Sequence, residues 1–453
     1  MAIDWVSWAV AAALILPAFW LSAKGSSWLV EYAVCLFVFN RLVRRLLDWS
    51  QGSFNPFSPI VLTPLIATAL LLLPLFVGFR FLHSTPKQIF ILFLLGIGYG
   101  TFIGLARNGI AAVYTASEFF APIALMGYTA TAQVEQSTAD RWMRNAGWIA
   151  VVACLYGWFQ YLTIPPWDAF WVERVGFVGY LGKLAPTEMT VFSTFPERGP
   201  CAGFLALAAI PMIVSRRWRL FLGWPEVILI LSTIVLTLAR SGLILVAAGV
   251  LIHPFINRGK SAVSIVLLLG IIAVAGTLGL NHMPNSNRIN SRLSTLGNMQ
   301  EDGSYQGRMG IASEGAKLAI SNPAGFGIGS SGLAGKLNTG SASKSEAVVA
   351  GDSGYLEILT SLGVPGTLCL VLGFLLLWRH LSICSRFGLV DDYLGLARTF
   401  LVVLSIAMLA GNFFSGLSVM WIVFGRALST MMLEKMLIIF DDTRSEAPAI
   451  STA

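Results

Sequence analysis

A few charged side chains stand where residue type and spacing suggest chemistry rather than solvation. Arg240 lies in Thr237-Leu238-Ala239-Arg240-Ser241-Gly242, between two apolar runs. A cation among apolar helices is costly unless it meets an anion, or unless it snorkels to lipid phosphates. Arg308, in Gln306-Gly307-Arg308-Met309-Gly310, opens a helical stretch. Its planar fork matches phosphate oxygens, although an arginine in a loop is more often simply solvated. Asp352, in Gly351-Asp352-Ser353-Gly354-Tyr355-Leu356-Glu357, is of the type that serves as a general base and equally as a helix N-cap. Glu357 and Glu197 are reserve candidates for a base. Glu197 and Arg198, within Ser193-Thr194-Phe195-Pro196-Glu197-Arg198-Gly199-Pro200, put an acid and a base at the entrance of an apolar run. They line the same cleft or pair with each other at the headgroup level.

The elements that must position these residues are set by composition. Of 453 residues 56% are hydrophobic and 12% charged, too apolar for a water-soluble fold to cover. Runs near the length that crosses a hydrocarbon core recur, continuous rather than alternating, so the fold class is an all-α polytopic membrane protein and not a barrel. The 14 Trp and 10 Tyr, many near run ends, suit anchoring at the headgroup level. The first run lacks a basic start and follows Asp4, so it reads as a retained span and not a cleaved signal.

The net charge of +7 does not indicate nucleic acid, because of where the charges sit. Arg216, Arg217 and Arg219 lie between two runs, as do Arg258 and Lys260, and Arg379 and Arg386. Short basic loops at alternate ends report orientation. They place the segment 164–198, the turn 239–241 and the long loop 281–363 outside, in the periplasm of a bacterial inner membrane, and the tail from Asp441 in the cytoplasm. In the first half, Arg41, Arg44 and Arg45 taken as inside, together with Arg141 and Arg144, leave one candidate run unable to cross. The segment 110–129 is the weakest, because it carries Glu118. The reading is about 12 transmembrane helices with an inside N-terminus and one large, partly helical periplasmic loop. It divides into an N-terminal bundle at 1–163, a loop at 164–198, spans at 199–280, the large loop at 281–363, C-terminal spans at 364–438 and a cytoplasmic tail at 439–453.

The loop 281–363 is longer than a connector needs to be, and its six basic and six acidic side chains rule out a charged tail. Helical periodicity over 308–320 precedes a turn at Asn322-Pro323 and Gly325-Phe326-Gly327-Ile328-Gly329. A second helix starts near Asp352 and stops at Gly363 or Pro365, and the Gly/Ser/Ala/Lys-rich stretch 330–350 between them reads as mobile. The glycines at 325, 327 and 329 form no phosphate loop, since no Lys-Ser/Thr follows and no strand precedes. His83, His253, His282 and His380 are isolated, and Cys35, Cys154, Cys201, Cys369 and Cys384 show no metal or redox spacing. Neither a metal nor a disulfide is expected.

In this order the pieces resemble the bacterial O-antigen ligase and O-antigen polymerase superfamily. The match runs from Thr237–Gly242, through Gly307-Arg308 and Asn322-Pro323-Ala324-Gly325-Phe326-Gly327, to Asp352-Ser353-Gly354-Tyr355-Leu356-Glu357-Ile358-Leu359 and Gly363-Val364-Pro365-Gly366. Its firm part covers roughly 190–380. The resemblance implies a bundle like other membrane glycosyltransferases that use no nucleotide sugar. Such an enzyme moves a glycan from undecaprenyl diphosphate to an acceptor hydroxyl at the periplasmic face, with inversion and without metal or other cofactor. Arg240 and Arg308 match the family's diphosphate-binding arginines, and Arg198 joins them as a candidate. Asp352 falls where ligases have a histidine, in a His-Asn/Ser pattern that reads Asp-Ser here, which shifts weight to a polymerase.

The first hypothesis is therefore a polymerase of surface polysaccharide or exopolysaccharide. An O-antigen ligase or O-oligosaccharyltransferase is the alternative in the same chemical class. The expected partners are the lipid-linked donor, a glycan acceptor, membrane lipids and, as an option, a chain-length regulator, with no nucleic acid. A lipid or polysaccharide transporter should show related halves and broken helices meeting at the midplane. This chain instead concentrates its polar features in an outer loop. A purely structural scaffold explains Arg240 poorly.

Overall fold

The computed structural model describes residues 4–55, 58–176, 178–257, 303–330, 353–386, 391–414 and 416–429, with backbone alone for 178–179, 257, 303–309, 311–312 and 386. All regular elements among them are helices. In chain order these are α1 Trp5–Ala23, α2 Leu29–Ser50, α3 Pro59–Phe81 (short pieces around Pro64 and Pro74), α4 Ser84–Asn108, α5 Ile110–Thr131 and α6 Gln136–Thr163. Then come α7 Pro166–Val175, α8 Arg198–Val214, α9 Trp224–Leu236, α10 Arg240–Asn257, α11 Gly303–Ser321, α12 Gly354–Arg386, α13 Asp392–Ala407 and α14 Val419–Ala427. Six of them (α1, α3, α4, α5, α6 and α12) are long and apolar enough to cross a bilayer, and α8, α9 and α10 are shorter apolar helices. Large side chains such as Phe76, Phe102, Ile110 and Phe255 point outward, which suits a surface bathed by lipid tails. The segments 261–280, 331–350 and 439–453 lie outside the described residues.

Between helices in lipid there is no water to expel, so close association depends on small residues. Helix α4 shows the device. Gly96, Gly100 and Gly104 recur every fourth residue and face α12 and the turn that precedes it. A Cβ at Gly96 would stand 2.7 Å from the Gly366 carbonyl oxygen, one at Gly100 would strike Leu362, and one at Gly104 would strike the backbone of Ile328. The helices α4 and α12 therefore run antiparallel in near backbone contact. The helical stretch begun at Gly354 ends at Gly363, as the sequence suggests. Gly363 (φ 64°, ψ −178°) bends the chain, and the helix resumes to Arg386.

Polar contacts fix which helix ends share a face. At the start of α2, Glu31 pairs with Arg141 at the start of α6 (2.8 Å). At the far end of α2, Arg45 pairs with Asp168 in the 164–198 segment (3.0 Å). The two helices are thus parallel, and Arg41, Arg44 and Arg45 belong to the end of the bundle opposite Arg141. This corrects the sequence reading that grouped the five arginines. Asp4 accepts hydrogen bonds from Gln51 and Asn55, so the N-terminal end of α1 also lies with the 164–198 segment, not with the basic loop at Arg216–Arg219. Positive-charge counting fails here because Arg44 and Arg45 are consumed by carboxylates, Asp48 at 3.3 Å and Asp168. The segment 110–129, ranked weakest as a span, is the span-length helix α5, most of which is buried. Its charged Glu118 is tolerated because Tyr114 and Arg41 meet it inside the protein.

Candidate functional site

The end of the bundle that holds 164–198 is organised by a buried polar clamp. Proline at 165 and 166 ends the preceding run and starts α7, which carries Asp168. Asp168 is fully buried, pairs with Arg45, and accepts hydrogen bonds from Tyr156 (2.7 Å) and Gln160 (2.6 Å). Burial pushes its carboxyl above the usual carboxylate range, against the pull of Arg45 and of those two hydrogen bonds. The Gln160 carbonyl in turn accepts from the backbone amides of Phe192 and Ser193, at 3.0 and 2.9 Å. Arg45 donates to the Ser193 carbonyl (2.5 Å) and lies over the Phe192 ring. Ser193 sits in the left-handed region (φ 51°), a cost offset by the hydrogen bonds that its own amide, carbonyl and hydroxyl all make. The Val191 amide bonds to the Leu236 carbonyl at the end of α9 (3.1 Å). The clamp thus fixes the chain just before Glu197 and just before Arg240 together.

From there α8 and α10 start side by side. Ala202 lies against Gly242, where a Cβ would come within 2.8 Å of it, and Ile210 lies against Gly249 one stretch further on. Parallel packing at that closeness brings Glu197 and Arg198 to the same end as Arg240. Arg198 stacks over Tyr180, 4.3 Å from the ring centre, and is half-buried, as is Arg240. Glu197 is the N-cap residue of α8 but makes no side-chain capping bond, and both it and Arg240 are partnered within the protein. Helix N-termini favour anions.

A second group faces the same region from the other side. Glu357, in the first turn of α12, lies close to Asn412 and interacts electrostatically with Glu118 of α5. Glu118 is bonded by Tyr114, whose hydroxyl receives Arg41 at 3.2 Å. The link to α8 runs through Asn412's neighbour, since a Cβ on Gly203 would collide with the Phe413 ring. The N-terminal turns of α8 and α12 therefore both pack against the stretch 408–414.

The turn Asn322–Ser330 anchors the loop at this end. Arg107 donates to the Gly325 carbonyl (3.0 Å), and the Asn108 amide reaches the carbonyls of Phe326, Gly327 and Ile328 at 3.0–3.4 Å. The Phe326 amide bonds to Thr360, and the Ile328 amide to Gly100, which sinks Ile328 completely into the bundle. Gly327 (φ 85°) leaves no room for a Cβ against the backbone of Gly104. Helix α11, which carries Arg308, leads straight into this turn and packs on α12. The Arg308 side chain and all of Asp352 lie outside the described residues. Among the described residues no three His, Cys, Asp or Glu side chains are grouped to hold a metal ion.

Residues 225–371 match the family model described as O-antigen ligase. That segment is similar to the O-antigen ligase family. No curated protein and no solved structure matches the chain. The O-antigen ligase match covers about a third of the sequence, from the start of α9 into α12, and includes Arg240, Arg308, Asp352 and Glu357. It supports a function of O-antigen ligase or polymerase type, acting on polyprenyl-linked glycan and an acceptor.

The residues that sequence reasoning passed over lie outside the O-antigen ligase segment. Arg45 and Asp168 gave no local signal, because their partners are more than a hundred residues away in the chain. Glu118 did give one, a carboxylate inside an otherwise apolar run, but it was read as a weakness of the span.

Proposed function

We propose that the chain is a glycan polymerase of the periplasmic face of the bacterial inner membrane. It transfers undecaprenyl-diphosphate-linked glycan to a sugar hydroxyl of an acceptor during surface polysaccharide or exopolysaccharide assembly. What supports this reading is the side-by-side start of α8 and α10, which brings Arg198 and Glu197 to the same end as Arg240, together with the match of 225–371 to the O-antigen ligase family.

The chemistry calls for these groups. As the acceptor oxygen bonds to the anomeric carbon, the bond to the diphosphate breaks and negative charge grows on the leaving oxygen. Guanidiniums at Arg240 and Arg308, with Arg198 nearby, stabilise that charge where water is scarce. The acceptor hydroxyl gives its proton to a carboxylate. Asp352 is the candidate that the family pattern offers, and Glu357 is the one whose surroundings support the role. Attack opposite the leaving group inverts the anomeric centre, and no step in this scheme requires a metal.

Replacing Arg240 with alanine is expected to abolish long polymer while the protein stays inserted, a loss of about 10²–10³ in rate. Normal polymer in that variant would remove the centre of the proposal. The lipid-linked material of a deletion strain separates the two transferase readings. Single repeat units on the carrier mean polymerase, and long chains on the carrier mean ligase. Accumulation of neither would sink both. Cysteines placed in 331–350 should be labelled by a membrane-impermeant thiol reagent from the periplasm.

A further inference from the structure

Glu118 has no place in the scheme above, and its surroundings give it one. It lies in the middle of a span-length helix, where an ionisable side chain is rarely retained without a task. Its companions come from three other parts of the fold. These are Arg41 of α2 through Tyr114, Glu357 of α12, and Asn412 of the irregular segment that holds Glu357. Both carboxylates remain partly accessible although protein surrounds them.

A second observation points to a ligand. Thr115 is more than nine-tenths buried, and among the described residues its hydroxyl has no hydrogen-bond partner. A threonine in a helix normally returns its hydroxyl to a carbonyl one turn back. Thr129 and Thr131 of the same helix do so, at 2.9 Å each. Thr115 and Glu118 are three residues apart and share a helix face. That face offers a carboxylate and an unmatched hydroxyl, with the Tyr114 hydroxyl on the adjoining side and Glu357 and Asn412 opposite. Behind that face Phe119 packs on Phe414 at 5.7 Å and Phe414 on Trp421 at 5.2 Å, all three rings buried in the core.

Resting on the transferase reading, we propose that Thr115, Glu118 and Asn412 form the subsite that binds the acceptor sugar, with its attacking hydroxyl presented to Glu357. The ligand class is a polyol. Fixed carboxylate, amide and hydroxyl groups accept and donate to neighbouring hydroxyls. In the transfer, one acceptor O–H bond breaks, its proton passes to the Glu357 carboxylate, and its oxygen bonds to the anomeric carbon as the diphosphate departs with the bonding electrons. Glu118 takes no part in the proton transfer and orients the sugar.

The test uses the full-length protein in detergent and lipid-linked repeat units extracted from the deletion strain. Acceptor concentration is varied and products are counted by chain length. Glu118→Gln and Thr115→Val are each expected to raise the KM for acceptor, by about tenfold or more and about threefold or more respectively. Apparent donor affinity, read by competition with undecaprenyl diphosphate, should stay within twofold, and Glu118→Asp should recover part of the loss. Arg240→Ala should show the converse pattern. If wild-type protein makes no polymer from these units, the transferase reading itself fails. If wild-type polymerises and both variants keep the wild-type KM for acceptor, the subsite alone is wrong. Should Glu118→Gln fail to fold, Thr115→Val decides by the same measure.

Discussion

The two ends of the bundle use the same residue types to different effect. At the end opposite the site, Asp140 receives the Arg217 guanidinium at 2.8 Å, the Trp218 indole at 3.2 Å and the Tyr393 hydroxyl at 3.0 Å. Arg426 reaches the Val134 carbonyl and Gln136, and Glu31 is held by Arg141. Each of these acids has an arginine or several donors locked on it, and the result ties helix ends together. At the site end, Asp168 is saturated in the same way, but Glu118 and Glu357 have chiefly the neutral side chains of Tyr114 and Asn412 beside them. A carboxylate with several donors fixed on it is structural, whereas one with acceptor capacity left over is available to substrate.

That contrast can be broken most directly at the available carboxylate. Glu357→Gln should cut the polymerisation rate by about 10²–10⁴ with little change in thermal stability. An unaltered rate would show that Glu357 is not the base. For the saturated acid of the same end, Asp168→Ala should leave Arg45 buried without its partner and cost about 3–5 kcal/mol of stability. A melting curve in detergent measures this, and a replacement of both residues by apolar ones should recover part of it. If Asp168→Ala melts as wild type, the clamp does not hold the segment 190–198. At the loop anchor, Gly327→Ala asks a residue with a side chain to adopt positive φ against backbone, at a cost of about 1–3 kcal/mol. Protease access to the loop should rise with it. The smallest effect belongs to the opposite end. Arg217→Ala removes a partly solvent-exposed pair and should cost about 1 kcal/mol or less, with the KM for acceptor and the rate unchanged. A large loss of rate there would erase the distinction between the ends.

Much of the site was legible as a list of parts. Arg240 announced itself by lying between apolar runs, and α11 and the Asn322–Gly329 turn by periodicity and glycine spacing. Charge counting misread the first half, where Arg41, Arg44 and Arg45 are partnered within the protein. Charge counting assumes that an arginine is free to report its side of the membrane. An arginine paired with Asp48 or Asp168, or bonded to Tyr114, no longer does.

By itself the sequence determined that this chain is a helical membrane protein, because apolar runs of that length and continuity have no other stable environment. It also determined which glycines would be needed at positive φ in the turn, because glycine alone enters that region without strain. The tertiary structure decided which charges are structural and which are available, since that depends on partners brought in from remote helices. Burial multiplies the worth of each such contact, and burial is a property of the packed bundle rather than of any one run.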